Sequence, residues 1–302
     1  RQLITFALRA IPASGLSLML AACGGQAANS SSARAKAAAK PTPAPSRSLY
    51  PAAVRLGVSA PFTGVAYGSA ANLRDGSLLA IDELNQAGGL AGKVKVEPWI
   101  QDEGTVASDG DDPQRVTLNM RQFLADPTVM AVLGGYSSNA VQAMLTAQIH
   151  ETSPLPVISA TATSPDMTDP AKALQYRPNN KPFFFRTVTT DQYQGPAMAN
   201  FAATNGVKSV YLLDEQGSLF GQGVAAAFAK QAQAKGLRVL GTSALNPALL
   251  DYSSLIGAIN ATAPGGLFYG GSSNPWLKLL AARDQLGGIS MLMSADGVYN
   301  TA

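Results

Sequence analysis

Hydrolytic or group-transfer chemistry needs a nucleophile with a base beside it, and few residues here can serve. The chain has one histidine, His150, and one cysteine, Cys23. Any Ser–His–Asp triad would have to use His150. That residue lies in Gln148-Ile149-His150-Glu151, at the expected end of a helix, where it reads as a solvated helix-end side chain. No Gly-x-Ser-x-Gly elbow accompanies it. The same two counts exclude a disulfide framework and any His- or Cys-cluster metal site. Gly88 to Lys93 reads GGLAGK, but only three residues separate Gly88 from Gly92, and Val94 stands where a phosphate loop needs Ser or Thr. It reads instead as a helix stop and a turn. Gly217, Gly221 and Gly223 precede a helix without the spacing of a dinucleotide loop. Asp109, Asp111 and Asp112 lack the downstream Glu of a calcium loop and read as a solvated cluster. Asn260-Ala261-Thr262 fits the glycosylation triplet, a frequent chance match. The expectation is a protein that is not an enzyme, with no cofactor and no metal.

Composition points the same way. The 302 residues are 46% hydrophobic and 14% charged, enough to build a sizeable core, and the length suggests about two domains. The net charge is +3, but six of the 22 basic residues precede residue 51. The rest of the chain has 16 bases against 19 acids, a net −3. That excludes nucleic acid as the expected partner.

The early basic residues mark a leader and a tether. Residues 1–23 carry Arg1 and Arg9 ahead of a mostly apolar stretch from Ile11 to Leu20, the layout of a secretory signal. Pro12, Ser14 and Gly15 interrupt it too often for a membrane span. Leu20-Ala21-Ala22-Cys23 resembles the bacterial lipobox, which implies cleavage before Cys23 and lipid on its thiol and new amino group. The alternative is an ordinary signal peptide with Cys23 incidental. Residues 24–50 are rich in Gly, Ser, Ala and then Pro, too poor in large apolar side chains to fold, and read as a flexible tether.

From Tyr50 onward, strand and helix patterns alternate. Strands are expected at Val54–Val58, Val94–Trp99, Val129–Leu133, Pro156–Ser159, Phe183–Val188, Ser209–Leu213, Arg238–Thr242, Gly266–Tyr269 and Met291–Met293. Helices are expected at Leu73–Ala87, Val116–Leu124, Ala140–His150, Tyr193–Asn205, Gly221–Lys235, Tyr252–Ala261 and Trp276–Leu286. Asp111 or Asp112 is the expected cap of the second helix, with Pro113 in its first turn. Strict alternation implies an α/β fold with parallel sheets covered on both faces. The only long break, residues 164–182, suggests two doubly wound lobes, 51–175 and 176–302, joined by a hinge. Ligands of such lobes bind outside the carboxyl ends of the strands.

Several stretches together resemble the Leu/Ile/Val-binding family of solute-binding proteins. They include Val54–Val58 leading to Pro61, Thr63-Gly64 and Tyr67-Gly68, then Ala80-Ile81-Asp82-Glu83-Leu84-Asn85 and Ala87-Gly88-Gly89-Leu90. Val132-Leu133-Gly134-Gly135 with Ser137-Ser138, Pro156-Val157-Ile158-Ser159 with Thr161–Pro165, Asp191-Gln192 with Gln194-Gly195-Pro196, and Tyr269-Gly270-Gly271 continue the match. The resemblance implies a type I periplasmic binding protein that closes two lobes on an amino acid, branched-chain by default, and delivers it to the permease of an ABC transporter. It implies a monomer in the bacterial cell envelope, outside the cytoplasmic membrane and held there by its lipid.

The resemblance also implies the site. Ser138 would meet the α-carboxylate, or serve as a plain helix cap. Thr161 and Thr163 fall in the loop that meets the ammonium and carboxylate. Asp296 would pair with the ammonium from the second lobe, as Asp where the best-known members have Glu. Tyr67 would stand at the cleft mouth, and Phe220 would close the pocket. Ser272 replaces an expected Tyr, which enlarges the pocket or wets it. An amide, urea or an aromatic acid is therefore an alternative ligand, and a ligand-sensing receptor domain is an alternative role. Family members continue beyond the equivalent of residue 302, so the first lobe is expected to be incomplete.

Overall fold

The computed structural model describes residues 51–106, 108 and 110–299. The expected leader, tether and Cys23 lie outside them. Two parallel sheets organise the chain. The first contains β1 (Ala53–Ala60), β2 (Lys95–Asp102), β3 (Val129–Gly134), β4 (Val157–Ser159) and β5 (Phe184–Arg186), in the order β2-β1-β3-β4-β5. The second contains β6 (Ser209–Glu215), β7 (Arg238–Leu245), β8 (Gly266–Gly270) and β9 (Met291–Ser294), in the order β7-β6-β8-β9. The helices between them are α1 (Tyr67–Gln86), α2 (Pro113–Ala125), α3 (Ser138–Ala147), the single turn α4 (Ala173–Tyr176), α5 (Asp191–Thr204), α6 (Leu219–Ala234), α7 (Ser253–Thr262) and α8 (Ser273–Ala281).

Buried apolar side chains join sheet to helix. In the first sheet Val132, Val157 and Phe184 pack against Phe123 of α2 and Met144 of α3. Trp99 meets Phe123 edge-on, with ring centroids 5.2 Å apart. On one face of the second sheet Phe268 stacks on Phe228 of α6 at 4.1 Å. On the other, Tyr269 stacks on Trp276 of α8 at 5.3 Å. α2 begins as its sequence suggests. Asp112 accepts hydrogen bonds from Gln114 N at 2.9 Å and Arg115 N at 3.1 Å, and Pro113 opens the helix.

Several expectations shift. α1 starts at Tyr67 rather than Leu73, with Tyr67 N bonded to Gly64 O instead of a side-chain cap. α3 ends at Ala147, and His150 lies exposed in the turn beyond it. The break at 164–182 does not separate the sheets. Its one-turn helices return Met167 and Tyr176 to the first core, and β5, expected to open the second lobe, pairs with β4. The expected division after residue 175 thus falls before the last strand of the first sheet.

Candidate functional site

The strands of each sheet are parallel, so the loops after β1, β3 and β4 gather at one edge and those after β6, β8 and β9 at another. At the first edge, two acids, one of them fully buried, anchor the loops. Asp102 accepts from Phe62 N at 2.7 Å and holds the turn after β1. Glu103 is fully buried and accepts from Gly135 N at 3.2 Å and Tyr136 N at 3.1 Å, which fixes the loop after β3. Burial pushes the Glu103 carboxyl up to about 8, Asp111 adds to the rise, and the two backbone N–H groups oppose it. Gly135 has φ of 70°, and a Cβ there would lie 2.4 Å from Val141 Cγ2, so only glycine permits this approach to α3.

The loops after β3 and β4 are laced together. Ser159 Oγ donates to Gly135 O at 2.7 Å and accepts from Ala162 N at 3.0 Å. The Thr161 hydroxyl donates to Tyr136 O. Ser137, not Ser138, caps α3 and accepts from Ala140 N at 2.9 Å. Ser138 is thereby free of the capping role. It is buried, and its hydroxyl accepts from Ser164 N at 3.1 Å. Thr163 is buried beside it, and its carbonyl accepts from Asp191 N at 3.2 Å. Ser138, Thr161 and Thr163 thus come together on adjoining loops.

At the second edge, Gly221 and Gly270 let α6 touch the end of β8: a Cβ on Gly221 would lie 2.6 Å from Gly270 O. Phe220, half-buried, packs against the turn holding Gly297, where an added Cβ would lie 2.6 Å from its ring. Asp296 in that turn is exposed, and its N–H donates to Gln194 Oε1 at 2.6 Å. Ser272 precedes α8 without capping it and turns to Glu215 instead: its N–H donates to Oε2 at 2.6 Å and its hydroxyl to Oε1 at 3.1 Å. Tyr67 stands apart from these groups, half exposed beside Arg74.

Residues absent from the expected set join the two edges. Asn139 on α3 reaches the loop before α6, and Asp191 at the start of α5 reaches Thr163. Asn139 neighbours the Ser137-Ser138 motif and Asp191 opens another, but neither position in sequence reveals its cross-sheet partner. A separate open groove of about 590 Å³ runs between α2 and α3 and, of all these residues, includes only Asn139. Among the described residues no group of three or more His, Cys, Asp or Glu side chains is placed to hold a metal ion. None of the described helices is long and apolar enough to cross a membrane.

The family model described as periplasmic binding protein matches residues 53–301. The chain belongs to the periplasmic binding protein family. Among relatives of this binding protein, the leucine-, isoleucine-, valine-, threonine- and alanine-binding protein of Pseudomonas aeruginosa is 25% identical over 82% of the chain and 61% of its own length. The chain therefore spans about three-fifths of that relative. Two solved structures share the fold. A leucine-binding protein from Thermotoga maritima aligns with a TM-score of 0.67 at 19% identity, covering 81% of this chain and 64% of its own. A solute-binding protein from R. palustris in complex with 4-hydroxybenzoate aligns with a TM-score of 0.64 at 19% identity, covering 82% of this chain and 62% of its own. The two-sheet α/β architecture of the binding protein is the type I arrangement of these neighbours.

Proposed function

We propose that this chain is the substrate-binding component of an ABC transporter and captures a small amino acid, branched-chain by preference, between its two sheet edges. One observation carries the reading: Ser138, Thr161 and Thr163 converge at the first edge, and the second edge presents Asp296 and Phe220. In this reading the α-carboxylate is held by the Ser138 and Thr163 hydroxyls and by backbone N–H groups near the start of α3, where the dipole favours an anion. The ammonium meets the carbonyls of the 160–164 loop and the Asp296 carboxylate. Phe220 covers the apolar side chain. Tyr67, expected at the mouth of the site, enters only if the loop after β1 moves toward the others.

The names of the relatives support an amino acid as ligand and binding rather than catalysis as the activity. In the same reading the protein acts as a monomer outside the cytoplasmic membrane, is anchored by lipid at Cys23 and delivers its ligand to a permease. A second reading, an aromatic acid, is favoured by Ser272, which brings no ring to the second edge, and by the R. palustris neighbour.

Thermal-shift measurements on the full chain with branched-chain amino acids, amides, urea and aromatic acids test the ligand class. A ligand that binds only the folded state stabilises it by RT ln(1 + [L]/Kd). Leucine, isoleucine or valine should raise Tm most, and a response confined to aromatic acids would establish the second reading instead. Cys23→Ser should release the protein from membranes; a variant that still fractionates with membranes and takes up labelled fatty acid refutes the anchor.

A further inference from the structure

Asp191 opens α5 and is 1% exposed. Neither of its carboxylate oxygens has a hydrogen-bond partner among the described residues, and the neighbouring Thr190 hydroxyl is also buried without one. A buried, unpaired carboxylate is costly, and native proteins keep one only where something neutralises it. No side chain does so here. Arg186 from β5 is near enough to influence it, but its guanidinium donates to Ala162 O at 3.1 Å and Thr168 Oγ1 at 3.2 Å and forms no ion pair with Asp191. The Thr163 hydroxyl approaches without reaching hydrogen-bond geometry. From α6 the facing residue is Gly223, whose absent Cβ would lie 3.6 Å from Asp191 Oδ2. The remaining charged neighbour, Asp296, has the same sign.

Asp191 thus belongs to the same helix as Gln194, which holds the Asp296 backbone, and its own N–H is bound to Thr163 of the first edge. Asp191 and Asp296 are thus charged neighbours of like sign beside the Thr163 loop, and neither forms an ion pair among the described residues. We propose that Asp191 is a second acidic residue of the ligand site and that it and Asp296 together hold the cationic group of the ligand. Closure of the edges around a ligand without an amine leaves Asp191 buried and uncompensated, so Asp191 selects for amine-bearing ligands. This rests on the amino-acid reading given above. Burial, reinforced by Asp296 and opposed by Thr163 and Arg186, pushes the Asp191 carboxyl up to about 6. A bound ammonium favours the ionised form, so ligand binding near pH 6 should release a proton and affinity should fall as pH drops below 6.

The test is calorimetry on the full chain with L-leucine and with 4-methylpentanoate, its analogue without the amine. Wild type and Asp191→Asn are compared at pH 7.5. The substitution should weaken leucine binding roughly tenfold to a hundredfold and leave 4-methylpentanoate unchanged or tighter. Unchanged leucine affinity in Asp191→Asn overturns the proposal and leaves the amino-acid reading standing. If wild type binds neither leucine nor any other amino acid in a panel of the standard twenty, both fall together. Wild type alone provides a second measurement should the variant fail to fold: leucine titrations in two buffers of different ionisation enthalpy at pH 6. Proton release supports the proposal, and its absence overturns it.

Discussion

The Asn139 side chain is bonded to both ends of the turn that ends at Leu219. Its Oδ1 accepts from Leu219 N at 2.9 Å, and its Nδ2 donates to Gly217 O at 2.9 Å. Leu219 is the first residue of α6, so its N–H has no partner within the helix. Asn139 lies two positions after the cap of α3 and supplies that partner from the other sheet's edge. One side chain therefore ties the starts of α3 and α6 together.

Asn139→Ala should loosen this tie. Two neutral hydrogen bonds are lost, each worth about 0.5–1.5 kcal/mol net. Hydrogen exchange at the Leu219 amide should accelerate while exchange in the β1 and β6 amides stays slow. Unaltered protection of Leu219 would show that the contact contributes nothing to holding the edges together.

Ser138→Ala and Thr163→Ala should each weaken amino-acid binding. Loss of a bond to a charged carboxylate costs about 1.5–3 kcal/mol, roughly tenfold to a hundredfold in affinity. Ser138→Ala also strands Ser164 N, so its melting temperature should fall as well. Calorimetry separates the two effects. Unchanged affinity in both variants removes these hydroxyls from the site.

Asp296→Asn should cut affinity for an amino acid and spare an uncharged amide, because only the ammonium needs the negative charge. Ser272→Tyr keeps the backbone bond to Glu215 Oε2 but forfeits the hydroxyl bond to Oε1. The added ring should shift preference toward small aliphatic amino acids and away from aromatic acids. A ligand panel on both variants decides, and equal losses for amino acids and amides in Asp296→Asn would deny Asp296 its role.

Glu103 should make stability depend on pH. Its folded-state carboxyl titrates at about 8 against an ordinary 4.5. Between those values the folded protein keeps a proton that the unfolded chain has released. Stability should therefore fall as pH rises through this window, by at most about 1.4 kcal/mol per pH unit, and level off above pH 8. Asp191 adds to the same trend only below about pH 6. Urea denaturation from pH 6 to 8 should show the slope in wild type and lose it in Glu103→Gln; an equal slope in both would assign it elsewhere.

The β-α alternation was legible from sequence because it is local. Apolar residues at strand and helix periods, Gly88-Gly89 after α1 and Asp112-Pro113 before α2 act over a few residues. The fold class and the loops holding Ser138, Thr161 and Thr163 follow from that order and from the resemblance to known binding proteins. Which strands pair is not local. The 164–182 break reads as a boundary, yet Met167 and Tyr176 enter the first core and Phe184–Arg186 completes the first sheet, because burial and strand pairing join residues distant in the chain. Side-chain partners are decided in the same way. Ser272 reads as an open position until Glu215, 57 residues earlier, is seen to bond it. Asp191 and Glu103 look like ordinary solvated acids in sequence. Only the tertiary structure buries them, and burial is what shifts their protonation and makes one an anchor for the loop after β3 and the other a group in need of a cation.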